Sequence, residues 1–179
     1  ASGFAISDVA VVDVAERISR PGQTVIVAGG RIARIGAQET LTSPQGARVI
    51  DGRGLYLMPG LVDAHVHFVD PDVFGRLMIA KGVLLVRDMG MPTQQVLPLR
   101  DALNRGEILG PEMIATGTIL DGDPPLIPSV AVGIKTQAEG RAAVREHAAA
   151  GVDEIKVYSR LSRAELLAIA REARRSGLK

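Results

Sequence analysis

Cysteine and tryptophan are both missing from this 179-residue chain. Without cysteine there are no disulfides and no thiolate ligands, so any metal held here must rest on nitrogen and oxygen donors. Aromatic residues amount to only 3% of the chain, too few for a base-stacking surface against nucleic acid. Charge of either sign is not in excess: 21 basic residues face 20 acidic ones, a net of +1. That balance removes the electrostatic case for nucleic acid or a membrane surface as partner. No apolar run approaches the ~20 residues that a membrane span needs. The first residues, Ala1-Ser2-Gly3-Phe4, show neither the basic region nor the apolar block of a signal peptide. An initiator methionine is absent as well, so removal of upstream sequence is expected. Cysteine content leaves the compartment open; the cytoplasm is the expected one.

What is present suffices for a packed core. Hydrophobic residues make up 46% and charged ones 23%, ordinary values for a soluble protein. The length suits one domain, or a small domain and part of a larger one.

Residues 1–58 read as β structure. Ile6–Val14 and Gln23–Ala28 are β-like runs, and Gly29-Gly30 followed by Arg31–Ile35 signals a hairpin. Ala47–Ile50 and Leu55–Met58 flank a turn at Asp51-Gly52-Arg53-Gly54. The expectation is a small β-sandwich module without catalytic residue types.

From residue 59 the pattern alternates between strands and helices. Strands are expected at Leu61–Phe68, Val83–Asp88, Met113–Gly117 and Glu154–Tyr158. Helices are expected around Val73–Lys81, near Thr93–Arg105, from Thr136 to Ala150 and after Ser162. Thr136…Glu139 and Ser162…Glu165 have the spacing of capping boxes. A Gly/Pro-rich loop is expected from Asp121 to Pro128. Such alternation implies parallel βαβ units, four of them. An open doubly wound sheet or a (β/α)8 barrel would accommodate them. A barrel takes ~250 residues, so residues 59–179 would supply its first half, an incomplete α/β barrel.

Asp63, His65 and His67 share one face if Leu61–Phe68 is a regular strand, with Val62, Ala64, Val66 and Phe68 on the other. Two imidazoles at i and i+2 can bind one metal ion; zinc and similar ions suit them. Asp63 would sit roughly 6–7 Å deeper, placed to orient a ligand. Lys156 would point the same way as Glu154 and Tyr158. Two readings of it stay open: an ion pair with Glu154 or Asp88, or a carbamate formed with CO2 that bridges two metals. Arg87 is read as a structural partner of Asp88 or a substrate contact. His147 reads as a surface residue of a helix. Asp121 and Asp123 could reach a metal, but Asp-Gly-Asp-Pro is turn chemistry first. Arg171, Arg174 and Arg175 suit a helix C-terminus.

These strings resemble the metal-dependent amidohydrolase superfamily, and within it the imidazolonepropionase-like and prolidase-like branch. The matching residues are Val27-Ala28-Gly29-Gly30-Arg31-Ile32, Met58-Pro59-Gly60-Leu61-Val62-Asp63-Ala64-His65-Val66-His67, Val86-Arg87-Asp88-Met89-Gly90, Gly110-Pro111 and Gly151-Val152-Asp153-Glu154-Ile155-Lys156-Val157-Tyr158. The resemblance implies a hydrolase of amide or peptide bonds, acting on dipeptides or N-acyl amino acids. It implies two divalent ions, zinc foremost, with His65 and His67 on the more buried one and Lys156 as a carboxylated bridge. A bridging water, deprotonated near neutral pH, would attack the carbonyl. Asp63, Arg87 and Tyr158 would be candidates for orienting a ligand or touching substrate.

The family pattern also calls for two further histidines and an aspartate from later strands. The expectation is therefore an N-terminal part of a roughly 400-residue enzyme, on the scale of a barrel of ~250 residues plus its sheet domain. By itself it would be inactive, and its partner would be the missing C-terminal half or another copy of the chain. Two other classes remain: a mononuclear deaminase or cyclic-amide hydrolase in which Lys156 is an ordinary lysine, and a non-catalytic half-barrel assembly module.

Overall fold

The computed structural model describes residues 3–179, and the chain divides into two compact units, Ala1–Pro59 and Gly60–Lys179.

The first unit is built around β1 (Phe4–Asp13). On one side β1 pairs antiparallel with β2 (Ile18–Ala28), which continues into β3 (Arg31–Ala37). Gly29 and Gly30 make that hairpin turn at φ of 59° and 74°, backbone angles that favour glycine. On its other side β1 pairs parallel with β4 (Arg48–Asp51) along its first half. Further along, it pairs with β5 (Tyr56–Leu57). Both edges of β1 are thus occupied, one by the long β2 and the other by the short β4 and β5, and all five strands join one sheet. Among the described residues the smaller unit has this one sheet, where a sandwich was expected. Ala5, Val9, Val25 and Leu41 are buried, whereas Ile32, Ile35, Val49 and Ile50 stay exposed.

The second unit alternates as the pattern of the chain implies. It runs β6 (Leu61–Val66), α1 (Pro71–Ala80), β7 (Val83–Asp88), α2 (Thr93–Asn104) and β8 (Glu112–Ala115). There follow β9 (Ile119–Gly122), β10 (Ala131–Ile134), α3 (Gln137–Ala150) and α4 (Arg163–Arg175). Strands β6-β7-β8 form a parallel sheet, and β9 and β10 a separate parallel pair. Two apolar clusters follow this division. Val66, Phe68, Val86, Val96, Leu103, Met113 and Ala115 fill the first. Leu120, Ile134, Val144, Ile169 and Ala173 fill the second. Each fully buried side chain of this size contributes roughly 1.5–3 kcal/mol.

Helix starts follow their side chains. Asp70 accepts from Val73 N–H ahead of Pro71, and Ser162 and Glu165 form the full reciprocal box. At α3 only half of the expected box closes. Thr136 accepts from Glu139 N–H, but the Glu139 carboxylate accepts from Lys135 N–H at 2.8 Å.

Three departures from the sequence reading concern strands. The third strand ends at Ala115, and the chain kinks through Thr116–Thr118 with Gly117 at φ 69°. Part of the expected loop is strand instead: β9 begins at Ile119 and pairs with β10. The expected fourth strand, 154–158, is reduced to one parallel bridge between Leu120 and Val157. Lys156 C=O accepts from Leu120 N–H and Tyr158 N–H donates to Leu120 C=O, both at 2.9 Å. On its other side Ile155 N–H donates to Lys179 C=O at 2.8 Å, and a segment held by three such bonds gains little regularity.

Candidate metal site at the end of the first barrel-type strand

His65 is the last residue but one of β6 and His67 lies just past the strand's end. Val66 and Phe68, their neighbours in sequence, are buried against the helices. This anchoring leaves both imidazoles exposed, with ring centres 5.7 Å apart in an edge-on arrangement. Two imidazoles on one zinc ion, at Zn–N distances of roughly 2.1 Å, place their ring centres about 5 Å apart. The pair therefore fits two donors of one metal. Among the described residues no three His, Cys, Asp or Glu side chains gather into a complete cage.

The loop after β7 runs beside His67 and is held close to Ile119 by a glycine. Gly90 has φ 141°, and a Cβ there would stand 2.5 Å from Ile119 Cδ1 and 3.6 Å from His67 Cε1. Asp88 fixes the same loop from beneath. It is fully buried and accepts from Phe68 N–H at 2.8 Å and from Gly90 and Met91 N–H at 3.1 Å each. A carboxylate with several N–H donors is stable in a buried place where an unpaired one is not. Asp88 therefore pairs with neither Arg87 nor Lys156.

Asp63 does not stay in phase with the two histidines. The ladder sets Asp63 level with Val86 and Val66 level with Asp88, so the strand period breaks between them. Asp63 Oδ1 instead accepts from the backbone N–H of His65 at 3.2 Å. Arg87 Nε donates to Ala64 C=O at 2.9 Å, and its Nη1 donates to Glu154 Oε2 at 3.3 Å. Lys156 is half-buried, and its ammonium lies 5.8 Å from the ring centre of Tyr158, within cation–π range. Ile155 and Val157 pack into the second apolar cluster.

The remaining candidates take structural places. Asp121 is fully buried and accepts from Arg160, Leu126 and Gly122 N–H at 2.7, 2.8 and 2.9 Å. Asp123 faces the Lys135 ammonium at 3.6 Å. His147, read as a surface residue, is buried. Its Nδ1 lies 2.9 Å from Ala143 C=O and its Nε2 2.8 Å from Thr118 C=O. Arg100, not singled out by sequence, bonds to Gly151 C=O and to the carboxylates of Asp101 and Asp153.

The fold and the site define a parallel βα protein with an imidazole pair at a strand's C-terminal end. No family model matches the chain. Curated relatives match over stretches of it. Adenine deaminase 3 of Rhizobium meliloti is 36% identical over 66 residues, 35% of this chain and 11% of that protein. Dihydroorotase of Geotalea daltonii is 32% identical over 94 residues, 52% of this chain and 21% of that protein. Allantoinase of Enterococcus faecalis is 40% identical over 82 residues, 40% of this chain and 17% of that protein. Among solved structures, a Bifidobacterium longum chain assigned as a prolidase aligns at TM-score 0.80 and 27% identity. That match covers 99% of this chain and 48% of that one. Phenylurea hydrolase B aligns at TM-score 0.81 and 26% identity, covering 99% and 54%. The chain thus spans about half the length of these solved structures, and its matches span a smaller share of the curated relatives. These likenesses together place the chain in the amidohydrolase superfamily.

Proposed function

We propose that this chain is the N-terminal part of a metal-dependent amidohydrolase that cleaves an amide or peptide bond of a dipeptide or N-acyl amino acid. Residues 60–179 would form the first four βα units of a (β/α)8 barrel, and the missing units would come from a C-terminal remainder. The observation that carries this reading is the His65–His67 pair, with ring centres 5.7 Å apart at the C-terminal end of β6. Ligand sites of parallel βα folds lie at that end of the strands.

His65 and His67 would hold one divalent ion, zinc foremost, and Lys156 as a carbamate would reach a second. When bound, such ions supply Lewis-acid polarisation of the scissile carbonyl. Asp63 restrains the backbone at His65, and Asp88 holds the loop in which Gly90 lies beside His67. Tyr158 flanks Lys156 and would be a candidate to touch substrate. The group that moves the proton is assigned to the remainder, not to this chain.

A second reading is a mononuclear deaminase or cyclic-amide hydrolase; the names of the curated relatives support its reaction class, not its metal count. It leaves Lys156 as a free amine. The experiment combines zinc titration with 13C-bicarbonate labelling, applied to the chain alone and after addition of a C-terminal remainder. Zinc uptake lost in His65→Ala and His67→Ala, and a carbamate signal lost in Lys156→Ala, are expected. Full metal occupancy with Lys156→Ala after complementation overturns the bridging role in favour of the second reading. Amide hydrolysis by residues 1–179 alone overturns the partial-enzyme reading. No zinc uptake in either form leaves the assembly module.

A further inference from the structure

β6 does not run in simple register along β7. Asp63 pairs with Val86 and Val66 with Asp88. Between those pairs β6 advances by one residue more than β7, so Ala64 and His65 both stand opposite Arg87. This is a β-bulge, and a bulge takes backbone groups out of the ladder. Groups so displaced need other partners. Two of them find side chains here. Ala64 C=O accepts from Arg87 Nε, and His65 N–H donates to Asp63 Oδ1. The bulge falls on one of the two histidines, and bulges beside functional sites commonly re-aim a side chain.

Arg87 also reaches a second element. Its Nη1 donates to Glu154, two residues before Lys156 in the segment bridged to Leu120. One planar guanidinium therefore bonds at once to the strand of His65 and to the segment of Lys156. A lysine ammonium has no such fixed fork. An ordinary half-exposed ion pair would need only the carboxylate. The Nε bond to a bulge carbonyl goes beyond that.

We infer that Arg87 is a positioning residue: with Asp63 it locks the bulge that aims His65, and through Glu154 it ties this wall of the site to the one bearing Lys156. The inference rests on the metal reading proposed above. It assigns Arg87 no contact with substrate.

The test titrates zinc into the 179-residue chain by calorimetry, follows the His65 and His67 ring signals by NMR, and measures amide exchange at His65 without metal. Arg87→Met is expected to weaken zinc binding about tenfold or more, the usual scale for a group that orients a ligand, and to speed His65 amide exchange. Glu154→Gln is expected to give a smaller loss, and Arg87→Lys to recover only part of it. Zinc affinity and His65 exchange both unchanged in Arg87→Met overturn the inference. Absence of zinc at His65 and His67 both in the unsubstituted chain and after addition of a C-terminal remainder overturns the metal reading and with it the aiming role. If Arg87→Met does not fold, unchanged zinc affinity in both Arg87→Lys and Glu154→Gln overturns the inference.

Discussion

Asp121 has no solvent contact, yet it remains a carboxylate. Burial pushes its carboxyl up, but three backbone N–H bonds from Leu126, Arg160 and Gly122, helped by the Arg160 charge, outweigh this and hold it below the ordinary range. The folded state then binds fewer protons than the unfolded chain between the two pKa values, so stability rises with pH there. Its contribution is complete above the unfolded value, about 3.9, and is lost as pH falls through the lowered folded one. Asp121→Asn is expected to flatten the acid limb of stability against pH, measured by urea unfolding from neutral pH down to pH 2. Turn chemistry at Asp121 was legible in the sequence, because Asp-Gly-Asp-Pro is local. Asp88 was not, since one of its partners, Phe68, lies just past the end of another strand, 20 residues away. The Asp88 pairing expected as one alternative for Arg87 gives way to Glu154, which is 67 residues distant and beyond local reading.

Among the elements, the kink between β8 and β9 shapes the second half of the larger unit. Thr93 and Thr118 bind across it, each backbone N–H donating to the other's hydroxyl at 3.1 and 3.0 Å. Thr118 C=O is met by the His147 ring from α3. Removing that ring leaves a part-buried carbonyl without its partner, a loss of about 1 kcal/mol, toward the low end for an unsatisfied group. His147→Ala is expected to destabilise by that amount in urea unfolding, and His147→Gln, which keeps a donor, by less. Helix ends were legible because caps are local: Ser162…Glu165 forms the box its spacing implies. The kink was not, because Thr116-Gly117-Thr118 reads equally well as the end of a strand. Whether 154–158 becomes a regular strand depends on a neighbour on its open side, which no local pattern reveals. Likewise, alternation along Asp63–His67 signals one face, and only the pairing with β7 shows the bulge.

At the scale of the whole molecule, the larger unit is a sheet with an unoccupied edge. β6 pairs with β7 alone among the described residues, and Leu61 and Val62 on it are 48% and 60% exposed. An apolar edge strand invites pairing with another chain, and a lysine placed there discourages it. Val62→Lys is expected to lower self-association of the 179-residue chain in light scattering at high concentration. Its unfolding midpoint should move little, within about 0.5 kcal/mol for an exposed site. The class of fold was legible from the alternation of strands and helices, and the superfamily from the strings at the strand ends. Where the smaller unit places its apolar side chains was not, because strand content alone does not tell one sheet from two.

The parallel ladder of the larger unit has a consequence for synthesis. Leu61 finds Val83 only 22 residues later, and Leu85 finds Glu112 after 27. Each strand thus meets a partner made shortly after itself, and such local pairing favours early folding as a chain emerges from the ribosome. The histidine wall and its Asp63 bond can form while residues 154–158 are still untranslated. Arg87 is then the last part of the bulge to engage fully, waiting for Glu154 to arrive.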